Sequence, residues 1–312
     1  MATYDFNQTA TSIVTDAMKL CGVIEAGEAL SADASADGLL ALNRMIKAWQ
    51  AKGFHLWSKK EGVLFLTTGQ TSYLLGPNST DHATEENSLV TTSLAVAAVA
   101  TDATVDVASA TGISDTYTIG IVLDDGTFHW TTVSGAPAGV TVTLTDQMPS
   151  GAAIGNRVYV YESDLVRPLR VMSARRKDEV SSQDIPIIMF SRQEYMDTPN
   201  KTTQSLITQV YYDPQLTDGR LYVWPSATDI NSTLRFTFWK PLADIDAVGD
   251  SFDFPQEWLD ALAYGLAVRL CPQYGVPMDD RMWLKSEADL MLADMMAWDD
   301  EPESVFFQPV MG

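Results

Sequence analysis

Apolar residues repeat every three to four positions at both ends of this chain and every two positions between them, an order that limits the possible folds. Residues 9–21 place Ile13, Ala17 and Leu20 on one stripe, widened by Val14, Met18 and Cys21, with Gly22 as a left-handed stop. A second helix is predicted from Ser31 or Ser35 to Lys52, with Leu39, Leu42, Met45, Ile46 and Trp49 as its stripe and Gly53 as its end. The short link "GVIEAGEA" makes the pair an antiparallel hairpin. Near the other end, Pro255 fits a first helical position and Glu257 and Asp260 suit the positive end of a helix dipole. Trp258, Leu259, Leu262, Ala263, Leu266 and Leu270 supply the stripe. A last helix is predicted over 278–298, with Leu284, Ala288, Met291, Leu292 and Met295 on one face. The fold class is therefore α+β. A discontinuous antiparallel helical bundle from both chain ends carries a long β-rich insertion, and an extended C-terminal tail follows.

Between the helices, "VLFL" (63–66) and "SYLL" (72–75) flank "TTGQT" and predict a compact hairpin. "GPNSTDHATEENS" (76–88) reads as an exposed crossing. Residues 89–162 are rich in Thr, Val, Ala and Gly and poor in Lys and Arg. Short strands are predicted there over 94–99, 103–109, 117–123, 128–133, 140–145 and 157–162, with Asp125-Gly126 as a hairpin dipeptide. Such spacing indicates a small antiparallel sandwich or barrel inserted into a surface loop. Residues 163–249 regain aromatics, with strands over 206–213, 219–225 and 233–240 and a short helix near 190–197. The expected division is 1–57 helical hairpin, 58–88 β-hairpin and crossing, 89–162 inserted β-domain, 163–249 β-rich region, 250–298 helical pair packing with 1–57, and 299–312 tail.

Charge narrows the function. The chain carries 41 acidic and 20 basic residues, a formal charge of −21, so it should repel phosphate backbones and anionic membranes. Residues 250–312 hold thirteen of the acidic side chains and three of the basic ones. The two cysteines, Cys21 and Cys271, sit on predicted helices and are expected to be reduced core thiols. The N-terminal residues show no signal-peptide pattern, and no apolar run reaches the ~18–20 residues of a membrane span. A soluble cytoplasmic product is expected.

No catalytic pattern emerges. His55, His82 and His129 are isolated, and no metal-ligand spacing, nucleophile elbow or phosphate loop is present. Asp244, Asp246, Asp250 and Asp253 lack the glycine and glutamate of a calcium loop and read as a solvated stretch. Asp124-Asp125-Gly126 reads as a turn. Met278, Met282, Met291, Met295 and Met296 are core filler, or adapt to a partner surface. The aromatics of "FHWTTV" and "YVYES" offer faces for sugar stacking but alternate as core residues do. No enzymatic activity, cofactor or metal is expected.

Two stretches carry a resemblance. "SIVTDAMKLCGVIEAGEALSADASADGLLALNRMIKAWQAKGFHLW" and "ALAYGLAVRLCPQYGVPMDDRMWLKSEADLMLADM" resemble, in order and layout, the head-to-tail adaptor family of short-tailed bacteriophages, also called tail accessory factors or portal-bound connectors. The resemblance implies a structural virion protein at the head-tail junction, made in the host cytoplasm. Its copies form a dodecameric ring beneath the portal protein, extend the DNA ejection channel and offer a platform to tail proteins such as a nozzle, fibre or spike. DNA passes without specific binding, and no membrane is involved. The portal-binding tail falls by position on Val305, Phe306, Phe307, Pro309 and Val310. Residues 58–249 lie outside the two matching stretches. An alternative reading is a tail or baseplate binding protein that uses the inserted β-domain on carbohydrate or protein.

Overall fold

A hydroxyl at the right place starts a helix, and a glycine ends it. The computed structural model describes residues 8–25, 27–52, 57–245 and 254–298. Helix α1 (Ala10–Leu20) begins at Thr9, whose side chain accepts the Ser12 backbone N–H at 3.3 Å. It ends in a Schellman turn: Gly22 N–H bonds Lys19 C=O, Val23 N–H bonds Met18 C=O, and Gly22 sits at φ 69°. Helix α2 (Ala32–Gln50) starts at Ser31 rather than Ser35, with Asp33 in its first turn. Helix α3 (Arg192–Asp197) is opened by a capping box between Ser191 and Glu194. Helix α4 (Leu259–Leu270) follows a single tighter turn at Gln256–Trp258, so Pro255, extended at ψ 152°, stands just before the helical residues. Helix α5 spans Met278–Trp298.

The chain separates into two compact units, Met1–Ser58 with Leu242–Gly312, and Lys59–Pro241. In unit one, Ile13, Met18, Leu42, Ile46, Leu266 and Leu284 belong to one core with the fully buried Trp258. Two glycines set the closeness of approach. A Cβ on Gly38 would lie 2.3 Å from Val14 Cγ1, and one on Gly265 would lie 2.9 Å from the Trp49 ring. Trp258 meets Trp57 edge-on at 5.1 Å and Trp49 at 6.1 Å. Asn43 ties residue 245 to α2, donating to Ile245 C=O at 2.9 Å and accepting its N–H at 3.0 Å. Lys47 adds a bond to Leu242 C=O and a 2.7 Å ion pair with Asp244.

Unit two holds the strands. They are β1 (Lys59–Phe65), β2 (Ser72–Leu75), β3 (Ala83–Glu85), β4 (Val90–Ser93), β5 (Thr104–Asp106), β6 (Thr118–Val122) and β7 (Phe128–Thr132). There follow β8 (Thr141–Thr143), β9 (Arg157–Tyr161), β10 (Arg170–Asp178), β11 (Gln183–Met189), β12 (Gln209–Asp213), β13 (Gly219–Trp224) and β14 (Ser232–Trp239). Eight of them form one nearly closed, barrel-like sheet in the order β2-β13-β12-β11-β10-β14-β1-β3, antiparallel except at β11–β12. Leu64, Tyr73, Leu221, Leu234, Phe236 and Phe238 belong to its apolar interior. At the β2 edge, Leu74 N–H bonds Asp81 Oδ2 and Leu74 C=O accepts Ser79 Oγ, both at 2.7 Å. At the β3 edge, Ala83 C=O accepts Leu165 N–H at 2.8 Å. The chain's own groups thus occupy hydrogen-bonding positions on both outer strands.

The hairpin expected from 63–66 and 72–75 does not form. β1 lies between β14 and β3, whereas β2 pairs with β13. Both edges of β1 are taken, and Tyr73 Oη bonds the backbone of Thr67, so the intervening turn folds over while β2 continues to the far edge. Nor is 76–88 only a crossing, since it contains β3, where Ala83 and Thr84 are buried.

Within 89–162, a four-stranded sheet (β4-β9-β6-β7) and the β5–β8 ladder contribute to one core that includes Val107, Ile119, Ile121, Val142 and Val160. The strand expected over 94–99 reduces to bridges at Leu94 and Ala98, with Val96 and Val99 exposed. The more polar β4 is the strand that pairs with β9. β10 and β11 extend the sheet beyond the strands expected in 163–249.

Candidate interaction surfaces

Strand β9 reads Arg-Val-Tyr-Val-Tyr, and the alternation sends its two residue types to different places. Val158 and Val160 enter the core of the insert, while Tyr159 and Tyr161 join Val63 and Phe65 of β1. The Phe65 ring lies 4.9 Å from Tyr159 and 5.0 Å from Trp130. Trp130 occupies the space over Gly120 on the neighbouring strand, where a Cβ would come within 2.3 Å of its ring. It also stacks on His82 at 3.9 Å and 14°.

Beside this stack runs a short hydrogen-bond chain. Tyr161 donates its one hydroxyl proton to Asp164 Oδ1 at 3.0 Å. His82 Nδ1, 2.8 Å from the same hydroxyl, must therefore carry a hydrogen and donate. Burial lowers the pKa of His82 below the ordinary histidine value, although Asp164 and Asp81 pull the other way. Burial also raises the pKa of Tyr161, and pushes that of Tyr159 up to about 12. The arrangement favours a neutral imidazole and neutral phenols, and it latches the insert to the barrel.

The outer face of β1, β10 and β14 is ionic. Arg175 and Arg235 stand directly opposite each other, a repulsive pairing in isolation. Glu61 receives Arg175 at 2.8 Å and Thr237 at 2.5 Å. Arg235, itself nearly buried, pairs with Glu86 and approaches Glu179 at 3.5 Å, while Glu179 also accepts Thr233 at 2.6 Å. Glu61, Glu86 and Glu179, with Asp184 3.9 Å from Arg175, thus offset the two guanidinium charges.

Helix α5 and the β12–β13 turn are among the places where apolar side chains are exposed. On α5, Leu284 and Ala288 are buried and Met291, Leu292 and Met295 pack on the core, but Met278, Met282, Trp283 and Leu290 are more than half exposed. Of the five methionines expected as filler, two therefore pack on the core, while Met278, Met282 and Met296 are exposed, as a partner surface needs. At the β12–β13 turn, Leu216 is 98% exposed beside an open cleft of about 490 Å³ lined in part by Leu74, Arg220 and Tyr222.

Val305, Phe306, Phe307, Pro309 and Val310, expected by resemblance to bind the portal, lie outside the described residues, as do His55, Asp246, Asp250 and Asp253. Asp244 serves as the ion-pair partner of Lys47. Asp124 accepts from Ala153 N–H and Asn156, and Asp125 accepts from Thr127, as turn residues do. His129 stands on β7 with Nε2 3.2 Å from Asp146 C=O. The aromatics considered for sugar stacking form the cluster with Phe65, with Tyr159 and Tyr161 fully buried. Among the described residues, no group of three His, Cys, Asp or Glu could hold a metal, and no helix is long and apolar enough to cross a membrane.

What the fold assembles is contact surface: a latched insert, an ionic strand face and an exposed apolar helix face. The family model described as SU10 adaptor protein matches residues 130–303, more than half of the 312 residues, and the chain belongs to this family of phage adaptor proteins. No curated protein matches the chain. The match begins at Trp130 and takes in β7 to β14 as well as α4 and α5, so most of the β region set outside the resemblance is part of the family pattern. Residues 12–57, which supplied half of that resemblance, precede the matched span.

Proposed function

We propose that this chain is a virion protein of the head-tail junction: a non-enzymatic head-to-tail adaptor whose copies form a ring beneath the portal. The ring extends the DNA channel and presents a platform to tail proteins. The observation that carries this reading is the adaptor-family match over 130–303. A formal charge of −21 is compatible with a channel wall to which DNA does not adhere. In this reading α1, α2, α4 and α5 make the helical bundle of the ring, with 1–57 and 250–298 as its two halves. The residues beyond α5, with Val305, Phe306, Phe307, Pro309 and Val310 as anchors, dock on the portal. The 89–162 insert, held by the His82–Tyr161–Asp164 latch, faces the tail components.

The test is native mass spectrometry of the purified chain mixed with portal rings, beside a chain ending at Asp300. A discrete complex with many copies per portal, lost on truncation, is the expected result. Failure of both chains to associate with intact portal rings would overturn the adaptor reading. Association that survives truncation would retain the adaptor and remove the tail anchor.

A further inference from the structure

The two cysteines are 250 positions apart in sequence, and their sulfurs lie 3.0 Å apart in the core of unit one. Cys21 follows the last residue of α1 and Cys271 follows the last residue of α4. Both are free thiols. Cys21 also donates to Ala267 C=O at 3.3 Å, which holds its sulfur on α4. A disulfide needs an S–S distance of ~2.05 Å, so closing the pair requires about 1 Å of movement between side chains already in contact.

We propose that Cys21 and Cys271 form a two-electron redox site that a small peroxide closes into an internal disulfide, stapling the end of α1 to the end of α4. In the first step a Cys21 thiolate attacks a peroxide oxygen; the O–O bond breaks, giving a sulfenic acid and hydroxide. Then the Cys271 sulfur attacks the Cys21 sulfur, forming the S–S bond and breaking the S–O bond. Two thiols are oxidised, and one hydrogen peroxide is reduced to two waters. Cys21 is the entry point because it is 8% exposed, whereas Cys271 is fully buried. Burial and the neighbouring thiol raise the pKa of Cys21, so thiolate is scarce and the site closes slowly, faster at higher pH. The resulting loop spans all of unit two in sequence, so the bridge removes a large loop-closure entropy from the unfolded chain.

The experiment uses the full chain and hydrogen peroxide. Free thiols are counted after unfolding, peptides are mapped by mass spectrometry, and melting is compared before and after oxidation. Expected are two thiols before treatment and none after, a cross-linked Cys21–Cys271 peptide 2 Da lighter than the sum of its parts, and a melting temperature raised by roughly 5 °C or more. Dithiothreitol should reverse both changes. Cys271→Ser, with the same methionines, should show no rise, which separates the bridge from methionine oxidation. Persistent thiols, a 32 Da gain at either cysteine, cross-links between chains, or a bridge that leaves melting unchanged would each overturn the proposal. The wild-type chain alone decides these, so the outcome does not depend on the variant folding.

Discussion

In the core of unit one, sequence-distant side chains meet through volume, with the polar ties of Asn43 and Lys47 at its margin: Gly38 admits Val14, Gly265 admits Trp49, and Trp258 fills the space between Trp49 and Trp57. In unit two, equally distant residues meet through directed polar groups. His82, Tyr161 and Asp164 form a chain of hydrogen bonds, and Arg235 is held among carboxylates from other parts of the unit. The first kind of junction is sensitive to size and indifferent to pH. The second has apolar walls, but its register is set by protons and charges.

Trp258→Ala gives the largest expected effect, about 4 kcal/mol lost from unit one, because a fully buried indole leaves a cavity that helices only partly refill. Urea unfolding gives the loss, and hydrogen exchange should localise it to peptides of 8–52 and 254–298. Equal loss of protection across 59–241 would break the distinction between the units. Next comes Arg235→Ala, which removes the cation beside the nearly buried Glu179 at a cost of about 3 kcal/mol. Here the loss should fall on β10, β14 and their neighbours, and Arg235→Met combined with Glu179→Gln should recover much of it. If the pair of changes is as damaging as the single one, volume rather than charge governs that face.

Gly265→Leu sharpens the claim about close approach. Overpacking against Trp49 and Met45 should cost about 2 kcal/mol even though leucine is the better helix former. A neutral or stabilising result, read by thermal melting, would show that α4 can shift without penalty.

The smallest expected effect is on pH dependence. His82 has a lower pKa folded than unfolded, so the unfolded chain binds the proton more readily. Its contribution is complete above the ordinary histidine range and is lost as pH falls through that range toward the folded value. Melting measured between pH 7.5 and 5.5 should therefore fall, and the slope should flatten in His82→Gln. An unchanged slope in the variant would remove His82 as its source.

The sequence revealed much of the helical packing and little of the latch. Stripes such as Ile13–Ala17 and Leu262–Leu266, with Ser31 and Gly22 as punctuation, read directly as helices because each signal lies within a few residues of the others. In the β region, Val158 and Val160 alternate visibly with Tyr159 and Tyr161, but nothing local says that the tyrosines meet Phe65. β10 is not legible in the sequence because "RVMSARRKD" carries four cations and a carboxylate, and only partners as distant as Glu61 and Glu86 make that face stable in a sheet. Leu94–Val99 looked like a strand by composition, yet strands are selected by partners, and β9 pairs with Val90–Ser93. His82 sat in a polar stretch, 79 positions from Tyr161, with no spacing rule to connect them.

The occupied margins of the barrel-like sheet have a further consequence. A strand whose outer N–H and C=O groups are open can recruit the same strand of another molecule, and such growth has no natural end point. Leu74 has both groups occupied by Asp81 and Ser79, and Ala83 gives its carbonyl to Leu165. When many copies of this chain crowd together, runaway stacking into amyloid-like fibres is therefore opposed at these positions, leaving side-chain surfaces to set how copies meet.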